Sequence, residues 1–206
     1  MPGWADAVRR LYALERRGIK LDLDRVRACL EALGRPQDAC PSLLVAGTNG
    51  KGSTAAALAS TLALAGRRVG LYTSPHLLDF RERIRVDGRM AAPERLLPRL
   101  EQDWEVWERH QLTFFEATTL LAFAHFRDAG VDLAVLEVGM GGRLDATNTV
   151  EPILSVVTSL GMDHANALGA TAAAIAREKA GILRPGIPAV LDGGVLGGPS
   201  AVAARA

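Results

Sequence analysis

The stretch Leu43-Leu44-Val45-Ala46-Gly47-Thr48-Asn49-Gly50-Lys51-Gly52-Ser53 decides the fold of this 206-residue chain. Its apolar first part predicts a buried strand, its glycines predict a tight turn, and the Ala- and Leu-rich residues that follow predict a helix. A strand, a glycine turn and a helix in this order form the context that a phosphate-binding loop requires. Backbone N–H groups of the turn, the positive N-terminal end of the helix and the ammonium of Lys51 would then face the phosphates.

The turn departs from the general phosphate-loop pattern G-x-x-x-x-G-K-[ST] at two positions. Val45 stands in place of the first glycine. Gly52 stands in place of the Ser or Thr whose hydroxyl would hold magnesium, and Ser53 follows one position later. We therefore expect a metal ion at this site to take its ligands from other segments of the chain.

Lysine is rare in this sequence. Lys20, Lys51 and Lys179 are its only lysines, and all its other basic residues are arginines. Because arginine serves wherever a generic positive charge is needed, a retained lysine indicates a need for a compact ammonium or a reactive amine. Chance retention is the alternative for each lysine, and the surrounding glycine loop argues against it at Lys51.

Length and composition predict one large or two small globular domains. The chain is 49% hydrophobic and 23% charged, which excludes a disordered class. A net charge of +1 argues against a nucleic-acid partner. No apolar run is long enough to span a membrane, and the N-terminus does not resemble a signal peptide. Cys29 and Cys40 form neither a metal-binding spacing nor a disulfide framework, so we expect a reduced, cytoplasmic setting.

Hydrophobic periodicity and turn residues predict alternating helices and strands. Helices are predicted at residues 4–17, 24–33, 51–65, 93–110, 116–129 and 171–180, and strands at 43–46, 69–72, 82–86, 131–138, 153–158 and 188–191. Their alternation predicts an α/β fold with a doubly wound, mostly parallel sheet. We expect residues 1–192 to form one ATP-binding domain and the Gly- and Ala-rich residues 193–206 to form a tail.

Polar clusters follow four of the predicted strands. They are the glycine loop, the segment Thr73 to His76, the segment Glu137 to Asn148, and Asp163-His164. Ligands of an open α/β sheet bind at the carboxyl ends of its strands, so we expect these clusters to converge on one edge of the sheet.

Glu137 is the most informative single residue among them. A carboxylate near the end of a buried apolar strand costs free energy unless it is paired or bound to a metal ion. Beside a phosphate loop, magnesium is its natural partner. The alternative is a structural glutamate that is bonded to the backbone or to Arg143.

Other polar residues leave alternatives open. His164 is either a metal ligand or a surface histidine, and His76 belongs either to the site or to local loop packing. By its spacing alone, Lys179 would lie with Glu178 on a solvated helix face.

Three arginines alternate along the strand predicted at residues 82–86 and just before it. Arg81, Arg83 and Arg85 would therefore share one face. Such a basic face could meet an anionic substrate or could simply be solvated.

Taken together, these segments resemble the folylpolyglutamate synthase/dihydrofolate synthase branch of the Mur ligase family. The resemblance runs from Gly18 to Pro188. The matching strings are Gly47 to Ser53, Tyr72 to Leu77 with Phe80 and Glu82-Arg83, Thr113 to Glu116, Glu137 to Asn148, Asp163-His164, and Glu178 to Ile182. The Thr-Asn-Gly-Lys-Gly-Ser form of the loop favours the folate branch over the cell-wall ligases.

The resemblance implies a role for each matching residue. The ATP phosphates would be held by Thr48, Asn49, Gly50, Lys51, Gly52 and Ser53. Magnesium would be bound by Ser74, Glu137 and His164, and a carbamylated Lys179 would bind a second magnesium ion. The pterin site would be lined by Thr113, Phe114, Phe115, Glu116, Leu144, Asp145 and Ala146, with weaker support for Gly18 to Leu21. Lys51, Lys179 and His164 would act in catalysis.

The implied reaction is ATP-dependent amide formation. The carboxylate of a folate or of dihydropteroate would attack the γ-phosphate, and the amine of L-glutamate would then attack the resulting acyl phosphate. Members of this family are usually monomeric and carry a second, C-terminal α/β domain that completes the adenine and glutamate sites. Nothing after Pro188 could supply that domain, so we expect nucleotide and pterin contacts without unaided turnover.

Two other interpretations remain open at this stage. One is a Mur-type cell-wall ligase, which would accept a UDP-linked peptide precursor and would not respond to folates. The other is a noncatalytic nucleotide-binding fragment, against which the intact Lys51, Glu137, His164 and Lys179 argue.

Overall fold

A seven-stranded sheet in the order β4-β3-β2-β5-β1-β6-β7 organises the computed structural model, which describes residues 3–161 and 171–192. The strands are β1 (Ser42–Ala46), β2 (Val69–Tyr72), β3 (Ile84–Val86), β4 (Arg89–Met90), β5 (Leu133–Glu137), β6 (Pro152–Val157) and β7 (Ala189–Leu191). The α-helices of the described ranges are α1 (Trp4–Tyr12), α2 (Asp24–Ala32), α3 (Lys51–Leu64), α4 (Pro93–Arg109), α5 (Phe114–Ala129) and α6 (Ala172–Ala180).

The predicted doubly wound, mostly parallel sheet is confirmed. Strands β2, β5, β1, β6 and β7 pair in parallel, and the β3–β4 hairpin adds an antiparallel edge. Strand β5 lies between β1 and β2, and Val135 pairs with Leu43 on one side and with Leu71 on the other. The carboxyl ends of β1, β2, β5 and β6 therefore meet at one edge of the sheet.

Alternate residues of the central strands serve two separate cores. Leu44, Tyr72 and Leu136 pack into the larger core together with α1, α2, α4 and α5. On the opposite face, Val45 and Val135 pack under α3, whose Ala55 and Ala59 are small enough to let the helix lie close to the sheet. This period of two along strands that are buried on both faces is typical of a parallel sheet between helical layers.

A two-residue turn with the sequence Asp87-Gly88, which is typical of hairpins, closes the antiparallel edge of the sheet. These two residues connect β3 to β4, where Val86 pairs with Arg89. Both have positive φ, 50° for Asp87 and 75° for Gly88, as a two-residue hairpin with the favoured twist requires. The two-residue strand β4 itself was not predicted.

The strand predicted at residues 82–86 begins only at Ile84, because Phe80–Arg83 form a 3₁₀ turn. The carboxylate of Glu82 accepts hydrogen bonds from the backbone N–H groups of Leu77, Leu78 and Asp79, at 2.9 to 3.0 Å. Such side-chain bonds to nearby backbone compete with strand pairing.

The basic face predicted for Arg81, Arg83 and Arg85 is therefore wrong. Arg81 forms an ion pair with Asp79 at 2.6 Å, and the Arg85 Nε atom donates to the Glu82 carbonyl. Arg83 turns inward and is only 7% exposed. The 3₁₀ turn separates the three side chains, which a strand would have aligned.

Two helix boundaries also differ from the prediction. The first helix ends at Tyr12 and continues as a 3₁₀ turn over Ala13–Arg17. Helix α5 begins at Phe114 instead of residue 116, because Thr113 caps it. Within the ranges that the structure describes, no helix has the length and apolar character needed to cross a bilayer.

Candidate functional site

Backbone and side-chain contacts join the loops that follow β1, β2, β5 and β6. The Thr48 N–H donates to the Ser159 carbonyl at 3.0 Å, which ties the glycine loop to the loop after β6. The Ser74 N–H donates to the Glu137 Oε2 atom at 2.8 Å, which ties the loop after β2 to the end of β5. The predicted convergence is therefore present for three of the four clusters, and the fourth, Asp163-His164, lies outside the described residues.

The glycine loop is held open at the start of α3. Gly50 is the N-cap of that helix, with φ of 80°, and it offers no side chain to the backbone N–H groups of the first turn. The Lys51 Nζ atom donates to the Thr48 carbonyl at 3.2 Å, so the ammonium folds back over the turn. Uncapped N–H groups beside a lysine give the positive potential that binds an anion.

The loop after β6 braces the glycine loop. The Thr48 hydroxyl donates to the Gly161 carbonyl and accepts from the Gly161 N–H, at 3.1 and 3.0 Å. The Thr158 hydroxyl donates to the Asn49 carbonyl at 2.6 Å. At Gly47, where φ is 151°, a β carbon would lie 2.0 Å from the Thr158 Oγ1 atom. The Thr48 side chain and the N–H groups of Thr48 and Asn49 thus fix the loop, whereas the N–H groups at the start of α3 and Lys51 remain to face a ligand.

Glu137 is buried at the edge of this loop, with 4% of its surface exposed. Burial raises the pKa of its carboxyl group, and the hydrogen bond from Ser74 together with the charges of Lys51 and Arg83 opposes that rise. The predicted alternative of a glutamate bonded to the backbone is present at Oε2, which accepts the hydrogen bond from the Ser74 N–H. Arg143, the other predicted partner of Glu137, pairs with Glu178 instead, at 2.8 Å.

Two oxygen atoms in this cluster are available for a metal ion. Among the described residues, neither the Glu137 Oε1 atom nor the Ser74 Oγ atom has a hydrogen-bond partner, and Ser74 is joined to Glu137 through its backbone. A carboxylate and a hydroxyl oxygen are ligands that suit Mg²⁺. The part of the chain that is described contains no group of three His, Cys, Asp or Glu side chains arranged to hold a metal. His164 and its neighbour Asp163, which the sequence analysis also predicts to belong to the site, lie outside the described residues.

The interpretation of Lys179 as part of a solvated helix face is wrong. Its side chain is buried, with 3% exposed, and its Nζ atom donates to the Gly47 carbonyl at 2.8 Å. Helix α6 approaches the site this closely because Gly142 and Gly181 lie in the contact. A β carbon on Gly181 would stand 2.3 Å from the Arg143 Cβ atom, and one on Gly142 would stand 2.8 Å from the Glu178 carbonyl.

A cavity of about 570 Å³ opens beside this cluster. The residues predicted for the pterin site line the same space as Lys51 and Ser74. The lining consists of Glu15, Gly18, Ile19, Lys20, Leu21, Lys51, Ser74, Pro75, Arg83, Thr113, Phe114, Phe115, Glu116, Gly139, Met140, Leu144, Asp145 and Ala146. A mainly apolar cleft with a few convergent polar groups is typical of a small-molecule site.

The polar members of the predicted pterin site are engaged with the protein itself. The Glu116 Oε2 atom accepts from the Thr113 N–H at 2.7 Å, and the Glu116 N–H donates to the Thr113 hydroxyl, which forms a capping box. The Arg25 Nη2 atom donates to the Glu116 Oε1 atom at 2.9 Å. The T-x-x-E spacing was the available signal for this cap. Within this segment, Phe114 and Phe115 are therefore left to contact a ligand.

Asp145 shapes the loop that follows β5. Its carboxylate accepts from the Met140 N–H, the Thr147 N–H and the Thr147 hydroxyl, at 2.9, 3.0 and 2.6 Å. Burial raises the pKa of the Asp145 carboxyl group, and these hydrogen bonds oppose that rise. The loop so formed presents Leu144 and Ala146 to the cavity.

Arg83 lines the cavity. The alternating pattern of Arg81, Arg83 and Arg85 does not distinguish its role from those of the other two arginines. The Arg83 Nε atom donates to the His76 Nδ1 atom at 2.8 Å, and its guanidinium lies 5.2 Å from the centre of the Phe114 ring. Because arginine can only donate, His76 accepts at Nδ1 and carries its proton on Nε2, which is 2.9 Å from the Tyr12 hydroxyl. Burial and the charge of Arg83 both lower the pKa of His76.

Comparison with known proteins gives consistent results. Residues 45–186 match the family model of the Mur ligase middle domain. The chain is 44% identical over 181 residues to the dihydrofolate synthase/folylpolyglutamate synthase of Bacillus subtilis, covering 84% of this chain and 42% of that relative. It is 39% identical over 212 residues to the folylpolyglutamate synthase of Lacticaseibacillus casei, covering 98% of this chain and 49% of that relative.

Solved structures show the same likeness. The apo form of the L. casei synthase aligns with a TM-score of 0.91 at 38% identity, over 99% of this chain and 52% of that one. The E. coli FolC structure in complex with DHPP and ADP aligns with a TM-score of 0.91 at 39% identity, over 100% of this chain and 50% of that one. The chain thus spans about half the length of the relatives it matches.

Proposed function

The chain belongs to the Mur ligase family, and we propose that it is the nucleotide- and acceptor-binding part of a folylpolyglutamate synthase/dihydrofolate synthase. The whole protein would join L-glutamate to the carboxylate of dihydropteroate or of a folate, with ATP as the energy source. Residues 1–192 would form the ATP-binding domain of a monomeric, cytoplasmic enzyme. The observation that carries this proposal is the single cavity shared by Lys51, Ser74 and the aromatic pair Phe114 and Phe115.

The relatives support the choice of ligands. Besides the complex with DHPP and ADP, an FPGS–AMPPCP–folate complex aligns with a TM-score of 0.91 at 39% identity. We assign ATP phosphates to the glycine loop and the aromatic acceptor to the cavity. The proposed nucleotide residues are Thr48, Asn49, Gly50, Lys51, Gly52 and Ser53, and the proposed acceptor residues are Thr113, Phe114, Phe115, Glu116, Leu144, Asp145 and Ala146.

Ser74 and Glu137 would hold a magnesium ion together with His164, and a carbamylated Lys179 would bind a second magnesium ion. The unpartnered Glu137 Oε1 and Ser74 Oγ atoms support the first pair. When bound, the metal would supply positive charge that neutralises the phosphates. The position of Lys179 supports its proposed role as a metal ligand, because a carbamate on its Nζ atom would lie beside Gly47 at the start of the loop.

The residues of this chain would then act by positioning and by charge. Lys51 and the backbone N–H groups at the start of α3 hold the triphosphate, while Phe114 and Phe115 hold the ring system of the acceptor. A carboxylate oxygen of the acceptor attacks the γ-phosphorus and ADP leaves. The glutamate amine then attacks the acyl carbon, loses a proton and displaces phosphate. Such chemistry depends mainly on alignment and electrostatic stabilisation.

Calorimetric titration with Mg-ATP tests this assignment. The variant Lys51→Ala should bind at least about tenfold more weakly than the unaltered chain, because a charged hydrogen bond to phosphate is lost. Arg67→Ala is the matched control, since Arg67 is an exposed cation just beyond the other end of α3. Equal affinities for the unaltered chain and Lys51→Ala would contradict the proposal. Binding of a UDP-linked peptide precursor in place of dihydropteroate would indicate a cell-wall ligase instead.

A further inference from the structure

Arg83 is a buried cation without a carboxylate partner among the described residues. It is only 7% exposed, and no ion pair within 4.0 Å involves it, whereas Arg81 in the same turn is paired with Asp79. Buried charges in proteins are normally paired, since removing an ion from water is costly. The charge of Arg83 reaches Glu137 only at longer range. A guanidinium in a cavity wall without a carboxylate in direct contact therefore indicates that its contact counter-ion is a ligand.

The guanidinium is held in a fixed orientation by neutral groups. The His76 Nδ1 atom accepts from Nε, and the guanidinium carbon lies over the ring of Phe114, 5.2 Å from its centroid. His76 is itself fixed by Tyr12, whose ring stacks on Phe114 with centroids 5.2 Å apart. The Tyr72 hydroxyl is a further polar neighbour. Burial raises its pKa, and the charge of Arg83 opposes that rise. None of these contacts supplies a negative charge.

Among the described residues, no carboxylate around the cavity forms an ion pair with Arg83 within 4.0 Å: Glu15 is exposed to solvent, and the others are engaged elsewhere. Glu116 is paired with Arg25 and caps α5, and Asp145 is saturated by the loop after β5. Glu137 accepts from Ser74. The ammonium of Lys51 and the N-terminal end of α3 provide a separate place for phosphate. Arg83 therefore offers the cavity a second, independent anion site.

The shape of the site selects the anion. A guanidinium is a planar fork that matches a carboxylate through two parallel hydrogen bonds. Tyr12 and Arg83 both pack on the ring of Phe114, so the partly buried Phe115 and the part of Phe114 that lines the cavity are left for an aromatic ring to pack against. An aromatic carboxylic acid that packs against these rings would bring its carboxylate to Arg83, in the same cavity as Lys51 and Ser74.

We infer that Arg83 binds the acceptor carboxylate that is to be phosphorylated and holds it against the repulsion of the triphosphate. This inference rests on the proposed function, because it takes the acceptor to be an aromatic acid. It assigns to Arg83 a direct contact with the reacting group. Tyr12 and His76 act through Arg83 and are positioning residues.

The test compares two ligands on the same protein. One is 7,8-dihydropteroate, and the other is its carboxamide, which has nearly the same shape but no charge. Dissociation constants for both are measured by calorimetry with the 206-residue chain and with Arg83→Gln, Arg83→Lys and Arg85→Gln. The ratio of the two constants on one preparation does not depend on the fraction of protein that is folded.

The unaltered chain should prefer the carboxylate by about tenfold or more, as expected for a charged, bidentate contact. Arg83→Gln should bring the ratio close to one. Arg83→Lys keeps the buried charge but cannot form two parallel hydrogen bonds with a carboxylate, so it should also lower the ratio. This variant provides the test if Arg83→Gln fails to fold. Arg85→Gln removes an equal charge two residues away, where the side chain contacts the Glu82 carbonyl, and should leave the ratio unchanged.

Two outcomes would overturn the inference in distinguishable ways. If the unaltered chain prefers the carboxylate and both Arg83 variants keep that preference, Arg83 is not the contact, although the proposed function stands. If the unaltered chain binds neither compound, the proposed acceptor is wrong and the inference fails with it.

Discussion

Gly52 lies directly against the carboxylate of Glu137: a β carbon on Gly52 would stand 3.3 Å from Oε2 and 3.4 Å from Oε1. The start of α3 and the end of β5 therefore leave almost no room for a side chain after Lys51. This contact explains why the loop lacks the hydroxyl that a general phosphate loop carries at that position. A carboxylate brought in by another strand fills the same space.

Replacing Gly52 by alanine should weaken magnesium-dependent ATP binding by about three- to tenfold, because the neighbouring carboxylate must move by a few tenths of an ångström and Ser74 holds it in place. Titrations with ATP in the presence and absence of Mg²⁺ measure this effect. Gly3→Ala is the control, since a β carbon there meets nothing within 4 Å. An unchanged magnesium dependence in Gly52→Ala would show that Glu137 is not a ligand.

Lys179 should carry a carbamate that no other lysine of the chain carries. A lysine amine can form one and arginine cannot, and the burial of this side chain protects the adduct from bulk water. After equilibration with ¹³C-labelled bicarbonate, the NMR spectrum should show a carbamate signal that is absent from Lys179→Met. Lys20→Met removes a lysine elsewhere and should keep the signal. A signal that survives in Lys179→Met would contradict the assignment.

Asp145→Asn should lower the free energy of unfolding by about 1 to 3 kcal/mol, because an amide accepts at one oxygen only and leaves buried donors of the loop unpaired. Urea denaturation measures the loss. Asp24→Asn, whose side chain is 92% exposed, should change the free energy of unfolding by less than about 0.5 kcal/mol. Equal stabilities of the two variants would mean that the loop after β5 does not depend on this carboxylate.

His125 should make the protein less stable in mild acid. Burial lowers the pKa of this histidine, with Arg95 and Arg68 contributing in the same direction and Asp128 opposing them. The unfolded chain therefore binds a proton below about pH 6.5 that the folded chain resists, so the free energy of unfolding falls as the pH drops below that value. Above it, both states are neutral and this contribution is flat.

Denaturation curves recorded from pH 8 to pH 5 test this dependence. The variant His125→Gln should lose less stability across the acid part of that range than the unaltered chain does. Its difference from the unaltered chain should be constant above pH 7. Parallel curves for the two proteins down to pH 5 would exclude His125 as the source.

The fold was predictable from local patterns, because each strand of the central sheet is a short apolar run bounded by glycine or proline. The convergence of the site segments followed from topology. The errors in the predicted elements came from local hydrogen bonds between side chains and the backbone. The backbone bonds of Glu82 turn Phe80–Arg83 into a 3₁₀ turn, and these bonds depend on a loop conformation that periodicity does not reveal.

The site was only partly predictable for a related reason. Lys179 lies on an Ala-rich helix beside a partly buried Glu178, and only the close approach of α6 to Gly47 shows that its amine is buried. The sequence does not distinguish the role of Arg83 from those of Arg81 and Arg85, because the three arginines differ only in the residues that they contact in the folded protein. Contacts between residues that are distant in the chain fix both roles.

The position of β5 between β1 and β2 has a consequence for the growing polypeptide. Strands β1 and β2 leave the ribosome in succession, but they have no shared edge to pair along until residues 133–137 arrive. Until then the glycine loop has no carboxylate opposite it, and Ser74 has no acceptor for its N–H. A nascent chain that stops before residue 133 would therefore hold unpaired edges on both β1 and β2, which are prone to aggregate. The centre of the sheet and the contact between Ser74 and Glu137 thus form together, when β5 joins β1 and β2.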